Sequence, residues 1–233
     1  MSHDLAPQLE LGEIKIEGRL VDASNATLFI SIIYEEQTVS AIYKPISGER
    51  PLWDFESGNL ASRERAAFLI SEIGEFNLVP LTILREGPFG VGAVQQWIEI
   101  DESVDLAEFF RTEDPALRAT ALFDAVINNT DRKIGHLLPD INGRLYICDH
   151  GVTFHHEDKL RTVLWQWAGH PLTGDELNQL NKLYARASQN AELKELINKE
   201  ELAALLNRIQ RLISTKTFPV PNPEWPAVPW PPF

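Results

Sequence analysis

The change in hydrophobic period along the chain is the feature that most constrains its fold. Residues 14–44 alternate apolar and polar side chains in the segments IKIEGRLV, TLFISIIY and VSAIYK, separated by the turn-forming stretches DASNA and EEQT. This pattern is typical of antiparallel strands. From residue 114 onward, apolar residues recur at helical spacing, as in DPALRATALFDAVINNT, GDELNQLNKLYARAS and KEELAALLNRIQRLI. The sequence therefore predicts a sheet followed by a mainly helical part.

The region between these parts adds further elements to the sheet. SRERAAFLISEIG has apolar residues at helical spacing, with Ser62 as the expected cap and Gly74 as the expected stop, which predicts one helix packed on the sheet. LTILRE and GAVQQWIEI, joined by GPFG, predict two more strands, after which DESVDLAEFF changes toward helix. HLLPDINGRLYICDHG predicts a short hairpin with the turn INGR. We therefore expect an α+β, two-lobed fold with a sheet lobe over 1–100 and a helical lobe over 101–217.

The last sixteen residues, 218–233, form a separate segment of unusual composition. Seven of them are proline, which excludes regular helix or sheet and favours an extended polyproline conformation. We expect Trp225, Trp230 and Phe233 to anchor this tail on its own helical lobe. The alternative is a ligand for a proline-reading domain.

Charge and composition exclude several functional classes. The chain has 21 Lys and Arg against 34 Asp and Glu, a net charge of −13, which opposes binding to nucleic acid and to anionic bilayers. No stretch reaches the length of a membrane span, so stable membrane insertion is not expected. The single cysteine, Cys148, cannot form an intrachain disulfide and suits a reducing compartment. We predict a cytoplasmic protein.

Two aspartates and one lysine are candidates for phosphoryl-transfer chemistry. Asp131 lies in the polar stretch NNTDRKIGH, Asp149 follows the hairpin in ICDHG, and Lys44 ends the third predicted strand. Phosphoryl transfer needs a carboxylate that orients the acceptor, a second that holds a divalent metal, and a cation on the phosphates. These three residues can fill those roles, although an edge-strand lysine can also serve only to limit aggregation.

The motifs NTDRKIGH and ICDHG resemble the catalytic loop and metal-binding motif of the phosphatidylinositol 3-/4-kinase superfamily, particularly its type II 4-kinase branch and bacterial relatives. The resemblance spans roughly residues 14–155 and implies a kinase-like bilobal fold that binds ATP with Mg²⁺ or Mn²⁺. It implies that Asp131 and Arg132 belong to the catalytic loop and that Asp149 binds metal. The implied nucleotide-binding residues are Lys44 with its partner Glu64, the strand turn with Ser24, Asn25 and Thr27, and the adenine-contacting hinge with Gln95, Gln96, Trp97 and Ile98. Glu72 is the alternative partner of Lys44.

The sequence departs from the family pattern at His136, where an asparagine would be the second metal ligand. Imidazole nitrogen favours softer ions such as Mn²⁺ more than an amide oxygen does. The acidic composition also disfavours a lipid acceptor. We therefore expect an ATP- and metal-dependent phosphotransferase acting on a protein or small molecule. The alternatives are a pseudokinase, meaning a nucleotide-binding or scaffolding module without turnover, and a transferase of AMP to protein.

The adjacent residues His155 and His156 also suggest a metal site at first sight. Neighbouring histidines in a loop rarely face one ion, and no third ligand stands at a recognisable spacing. A structural or solvent-exposed role is expected for both.

Overall fold

The computed structural model describes residues 5–20, 26–55 and 60–233, and its first part is a helix followed by an antiparallel sheet. Helix α1 spans Ala6–Leu11. The five strands are β1 (Glu13–Arg19), β2 (Leu28–Tyr34), β3 (Gln37–Pro45), β4 (Thr82–Gly87) and β5 (Gly90–Gln96), in the spatial order β1-β2-β3-β5-β4. The predicted meander and the two later strands are confirmed.

Alternation along the strands determines which face of the sheet is buried. In β2, Ile30 and Ile32 are fully buried, while Ser31 between them is only half-buried and donates to a carboxylate of β1. Helix α2 (Leu60–Ile73) covers the core side of β4 and β5. It begins two residues before Ser62, so Ser62 is not its cap, and β5 ends at Gln96 rather than at residue 100. The strand ends there because the chain leaves the sheet to connect to the second part.

The second part is mainly helical. Its elements are α3 (Leu106–Phe109), α4 (Pro115–Ile127), a 3-10 turn (Ile134–His136), the hairpin strands β6 (Leu137–Pro139) and β7 (Leu145–Ile147), and helices α5 (Gly174–Gln189), α6 (Ala191–Leu196) and α7 (Lys199–Thr215). The short helices α1 and α6 were not predicted. Capping explains where α5 and α7 begin: Thr173 and Asn198 each form a reciprocal capping box with the glutamate three residues later.

A buried ion pair connects the two parts of the molecule. Arg63 of α2 donates to Glu201 of α7 and to the carbonyl oxygen of Thr153, and both charged side chains are almost fully buried. A pair of this kind is costly to break because either partner alone would be an uncompensated buried charge. The pair fixes α2, and with it one wall of the cleft between the two parts. The predicted α+β arrangement is confirmed, and the boundary near residue 100 stays a prediction.

The proline-rich tail packs on the helical part, as predicted. The carbonyl oxygen of Ala227 accepts from the Thr162 amide at 3.0 Å and from Trp165 Nε1 at 2.8 Å. The carbonyl oxygen of Pro232 accepts from the Ile134 amide at 2.9 Å. The prediction that Trp230 and Phe233 anchor the tail is wrong, because these residues are 89% and 60% exposed. Backbone carbonyls provide these contacts instead.

The longest helix of the described residues, α7, has 17 residues. None of the described helices is long and apolar enough to cross a bilayer.

Candidate active site

A cleft of about 440 Å³ lies between the sheet and the helical part. Its lining brings together residues from β3, β5, α2 and the hairpin region that are far apart in sequence. Nine predicted site residues line it: Thr27, Lys44, Glu64, Gln95, Gln96, Trp97, Ile98, His136 and Asp149. The predicted residues Ser24 and Asn25 lie outside the described part of the chain. Asp131 and Arg132 do not line this cleft.

Lys44 joins two carboxylates inside this cleft. Its Nζ atom donates to Glu64 Oε1 and, at 3.1 Å, to Asp149 Oδ1. Lys44 is at the end of β3, Glu64 is on α2, and Asp149 follows β7, so the contact requires all three elements. Glu64, rather than Glu72, is therefore the partner of Lys44.

Electrostatics keeps this group ionised. Burial lowers the pKa of Lys44, but the carboxylates of Glu64 and Asp149 outweigh burial and hold that pKa above its ordinary value. Burial raises the pKa of Glu64, yet the Lys44 ammonium and the nearby His150 ring lower it to about 2. The Lys44 ammonium also holds the pKa of Asp149 well below its usual range, which outweighs the partial loss of hydration at this half-exposed carboxylate. At neutral pH the group is one cation and two anions.

Asp149 is the residue of this group best placed to hold a metal ion. Its carboxylate is half-exposed toward the cleft, with 51% of the side chain accessible. Mg²⁺ is usually bound through one or two carboxylates together with substrate phosphates and waters. The exposed oxygen atoms of Asp149 fit that coordination, and the Lys44 ammonium lies beside them.

His136 lies next to Asp149 but does not present a free nitrogen to a metal ion bound at Asp149. Its Nε2 is 3.5 Å from Asp149 Oδ2, and its Nδ1 accepts from the Lys133 amide at 3.4 Å. Burial, with the cations Arg132 and Lys44, lowers the pKa of His136 to about 4 despite Asp149, so the ring is neutral at pH 7. The bond to Nδ1 favours the tautomer with the proton on Nε2, the nitrogen that faces Asp149. Metal binding through Nε2 requires the other tautomer.

Asp131 lies in the loop after α4, outside the first cleft and between two cations. Lys133 Nζ is 3.6 Å from its Oδ2, and Arg161 Nη2 is 3.5 Å from its Oδ1. Asn129 Oδ1 accepts from the Asp131 amide at 2.9 Å, which fixes the loop backbone. Burial raises the pKa of Asp131, and the two cations offset this only in part. The carboxylate is thus positioned and made more basic than an ordinary aspartate.

Arg132 is a positioning residue. Its side chain is fully buried, and its Nε and Nη2 donate to the equally buried Asp124 at 3.0 Å. Its Nη1 donates to the Cys148 carbonyl oxygen at 2.8 Å, and its Nη2 is 2.8 Å from His150 Nε2. Arg132 therefore joins α4, the loop of Asp131 and the segment of Asp149, without lining the cleft itself.

The predicted hinge residues have different roles from one another. Gln95 is buried, and its Nε2 donates to Thr82 Oγ1 at 2.8 Å, so the sheet already occupies this side chain. Trp97 packs edge-on against Phe29 with ring centroids 4.9 Å apart. Ile98 presents an apolar side chain to the cleft. These contacts suit the walls of a site for a flat, apolar group.

Sequence reasoning missed several residues that shape the site. Asp124 stands among the apolar residues of α4 and belongs to no recognisable motif. Arg161 is thirty positions after Asp131, and no known motif has that spacing. Lys133 was in the quoted motif, and its charge next to Asp131 is the signal that could have found it.

One residue of the histidine pair, His155, contacts a lysine. The expectation that the pair has no third ligand is wrong, because His155, His156 and Glu157 place ligand atoms within 4.8 Å of one another. Lys159 Nζ, however, lies 3.3 Å from His155 Nε2 and 3.2 Å from Glu157 Oε2. An ammonium in this position repels a metal ion, so the structural role predicted for the pair is favoured.

Together these features define a bilobal α+β protein with a lysine–carboxylate cleft between its parts. No family model matches the chain. It is 39% identical over 259 residues to Protein Rv2133c of Mycobacterium tuberculosis, an alignment covering 95% of this chain and 93% of that protein. The chain belongs to the same protein family as Rv2133c.

A solved structure is also similar to this chain. The proinflammatory kinase CtkA of Helicobacter pylori aligns over 90% of this chain and 94% of its own, with 13% identity and a TM-score of 0.48. Similarity at this level is not evidence about function. The function of this chain has to be inferred from its own side chains.

Proposed function

We propose that this protein is an ATP- and divalent-metal-dependent phosphotransferase. The observation that carries the proposal is the bridge formed by Lys44 between Glu64 and Asp149 on the wall of a 440 Å³ cleft. A lysine held by a glutamate beside a metal-binding aspartate is the arrangement that protein kinases use to place phosphates. The assignment to the phosphatidylinositol kinase branch rests only on the two sequence motifs, so the proposal is limited to the kinase class.

Each residue of the site has a distinct task in this proposal. Lys44 compensates the negative charge of the phosphates, and Glu64 keeps its ammonium in place. Asp149 holds Mg²⁺ or Mn²⁺, which when bound would neutralise charge on the transferred group. Asp131 orients the acceptor hydroxyl and receives its proton, and Arg132 positions the loop that carries Asp131. Thr27, Gln96, Trp97 and Ile98 form walls of the nucleotide site.

A pseudokinase is the second candidate, and one observation favours it. The hydrogen bond from the Lys133 amide to His136 Nδ1 leaves the proton on the nitrogen that faces Asp149. In that tautomer His136 cannot complete a metal shell, which leaves Asp149 as the protein ligand. Nucleotide binding without turnover would then result. A cytoplasmic location, suggested by the single cysteine, remains part of the proposal.

Thermal unfolding with ATP, ADP or GTP, each with Mg²⁺ or Mn²⁺, tests nucleotide binding. A ligand that binds only the folded state stabilises it by about 2.7 kcal/mol at one hundred times its Kd. We expect a metal-dependent rise in Tm with ATP that Asp149→Asn abolishes. The matched control is Asp175→Asn, an exposed acid in the first turn of α5. The absence of any metal-dependent shift would rule out the ATP site.

Labelled nucleotides then distinguish the reactions. Transfer of label from the γ-phosphate supports the kinase, and transfer from the α-phosphate supports AMP transfer instead. A metal-dependent shift without transfer of either label supports the pseudokinase. Replacing His136 by asparagine is expected to change the preference between Mn²⁺ and Mg²⁺ if His136 binds the metal.

A further inference from the structure

A second cavity of about 320 Å³ adjoins the nucleotide cleft. The two cavities share three lining residues, Leu60, Asp149 and Gly151, so they meet beside the proposed metal ligand. Asp131 and Thr130 line only the second cavity. A group bound there would therefore lie between the proposed base and the proposed metal site.

The walls of this cavity come from both parts of the molecule and from the tail. Trp53 follows the sheet strand β3, and Trp225 belongs to the proline-rich tail. Lys159 lies between them, with its Nζ 4.9 Å from the Trp53 ring centroid and 5.2 Å from that of Trp225. The same Nζ is held by Asp54 Oδ2 at 3.1 Å. A cation between two indoles draws the tail and the sheet side together.

The tail is held in this position by its own backbone. The carbonyl oxygen of Ala227, two residues after Trp225, accepts from both the Thr162 amide and Trp165 Nε1. A segment of another protein approaching Asp131 over the helical part would meet the tail there. The cavity volume lies at the small end of the range of about 300 to 1,000 Å³ typical of small-molecule sites.

The lining of the cavity indicates the chemistry of its ligand. Indole and other apolar side chains stand beside the carboxylates of three aspartates, Asp131 and Asp149 among them, and the guanidinium groups of Arg50 and Arg161. Carboxylates and guanidinium groups together bind hydroxyls, as acceptors and donors respectively, and an indole face packs on CH groups. This combination suits a compact molecule carrying several hydroxyl groups.

We infer that this cavity, the acceptor pocket, takes a small hydroxyl-bearing molecule rather than a protein or lipid, and that Trp225 is a specificity-determining wall. The inference rests on the proposed phosphotransferase function. In the step, the acceptor oxygen forms a bond to the γ-phosphorus while its proton passes to Asp131. The bond from that phosphorus to the β,γ-bridging oxygen breaks, and the electron pair leaves on ADP.

The test uses the full chain with ATP radiolabelled on its γ-phosphate and two acceptor sources. One source is the ultrafiltrate of a cell extract freed of macromolecules, and the other is the dialysed protein fraction with vesicles of the extracted lipids. The variants are Trp225→Ala, Trp225→Phe, and the matched control Trp230→Ala, which changes an 89% exposed indole of the same tail. The metal-dependent Tm shift with ATP is measured in parallel for every variant.

We expect label in the ultrafiltrate. The ultrafiltrate concentration giving half-maximal transfer should rise about tenfold for Trp225→Ala. Trp225→Phe should recover most of this loss, and the Trp230 variant should match the parent protein, with ATP-induced Tm shifts equal throughout. Transfer only to protein or lipid overturns the inference, as does an ultrafiltrate that accepts no label while ATP still raises Tm. Absence of the Tm shift is instead a failure of the proposed function.

Discussion

Two groups of opposite charges lie near the centre of this protein, and they differ in how completely their atoms are paired. Arg132 and Asp124 are both fully buried, and the guanidinium donates from all three of its nitrogens. Lys44, by contrast, is partly exposed and lies between Glu64 and the half-exposed Asp149. The polar atoms of Arg132 and Asp124 are already paired with each other and with their neighbours, so this pair cannot bind a ligand. The second group has an open side toward the cleft, which is where a ligand can bind.

The two groups are nevertheless ends of one network. His150 Nε2 accepts from Arg132 Nη2 at 2.8 Å, and its Nδ1 faces Glu64 Oε2 at 3.7 Å. Because arginine can only donate, the His150 proton must be on Nδ1, toward Glu64. Burial lowers the pKa of His150, which keeps it neutral in this role. His150 thus lies between the buried pair and the group in the cleft.

The largest expected effect comes from the buried pair. Replacing Asp124 by alanine leaves Arg132 as an uncompensated buried charge, which costs about 3 to 5 kcal/mol in the free energy of unfolding. Urea denaturation measures this loss. The exposed pair of Asp158 with Arg211 provides the control, since Asp158→Ala should cost at most about 1 kcal/mol. Equal losses in the two variants would contradict the structural role of Asp124.

Changing both partners sharpens the same comparison. The double variant Asp124→Leu with Arg132→Met removes both charges and should lose clearly less than the single alanine variant. A double variant as unstable as the single one would show that shape, rather than charge pairing, determines the stability here.

The next effect concerns ligand binding by the group in the cleft. Lys44→Met should weaken metal-dependent ATP binding about tenfold to a hundredfold, because a hydrogen bond to a charged group contributes about 1.5 to 3 kcal/mol. The Tm shift at a series of ATP concentrations measures the change in affinity. The control is Lys182→Met, which changes an exposed lysine paired with Glu75. An ATP-induced shift equal to that of the parent protein would exclude Lys44 from the phosphate site.

The smallest effect is a pH dependence of stability caused by His136. Its pKa is lowered from 6.5 to about 4 in the folded protein, so the unfolded chain takes up the proton first as pH falls. The stabilisation from the neutral ring is complete above pH 6.5 and is lost as pH falls to about 4. Within this window His136 should lower the free energy of unfolding by at most about 1.4 kcal/mol for each unit of pH.

Urea unfolding at a series of pH values, with chelator and without nucleotide, measures this contribution. His136→Asn should lose less stability than the parent protein over that window. His170→Asn, a change at an exposed histidine, serves as control. Parallel stability curves for the parent protein and His136→Asn would disprove the effect.

The elements that the sequence predicted are those with a clear local period. Alternation in TLFISIIY and VSAIYK identified β2 and β3, and helical spacing identified α2, α4, α5 and α7. The short helices α1 and α6 have too few turns for a clear period, and the end of β5 depended on where the chain leaves the sheet. The exposure of Trp230 was missed because proline-rich sequence gives no periodic signal for which side chains face the protein.

The sequence by itself determined the order of sheet and helices, the candidate acids Asp131 and Asp149, and the lysine that ends β3. These follow from spacing between near neighbours and from motifs within short segments. Only the tertiary structure decided that Asp124 holds Arg132, that His150 connects this pair to Glu64, and that Trp225 of the tail reaches the acceptor pocket. Such contacts join residues distant in sequence, and they exist only after packing has brought the two parts and the tail together.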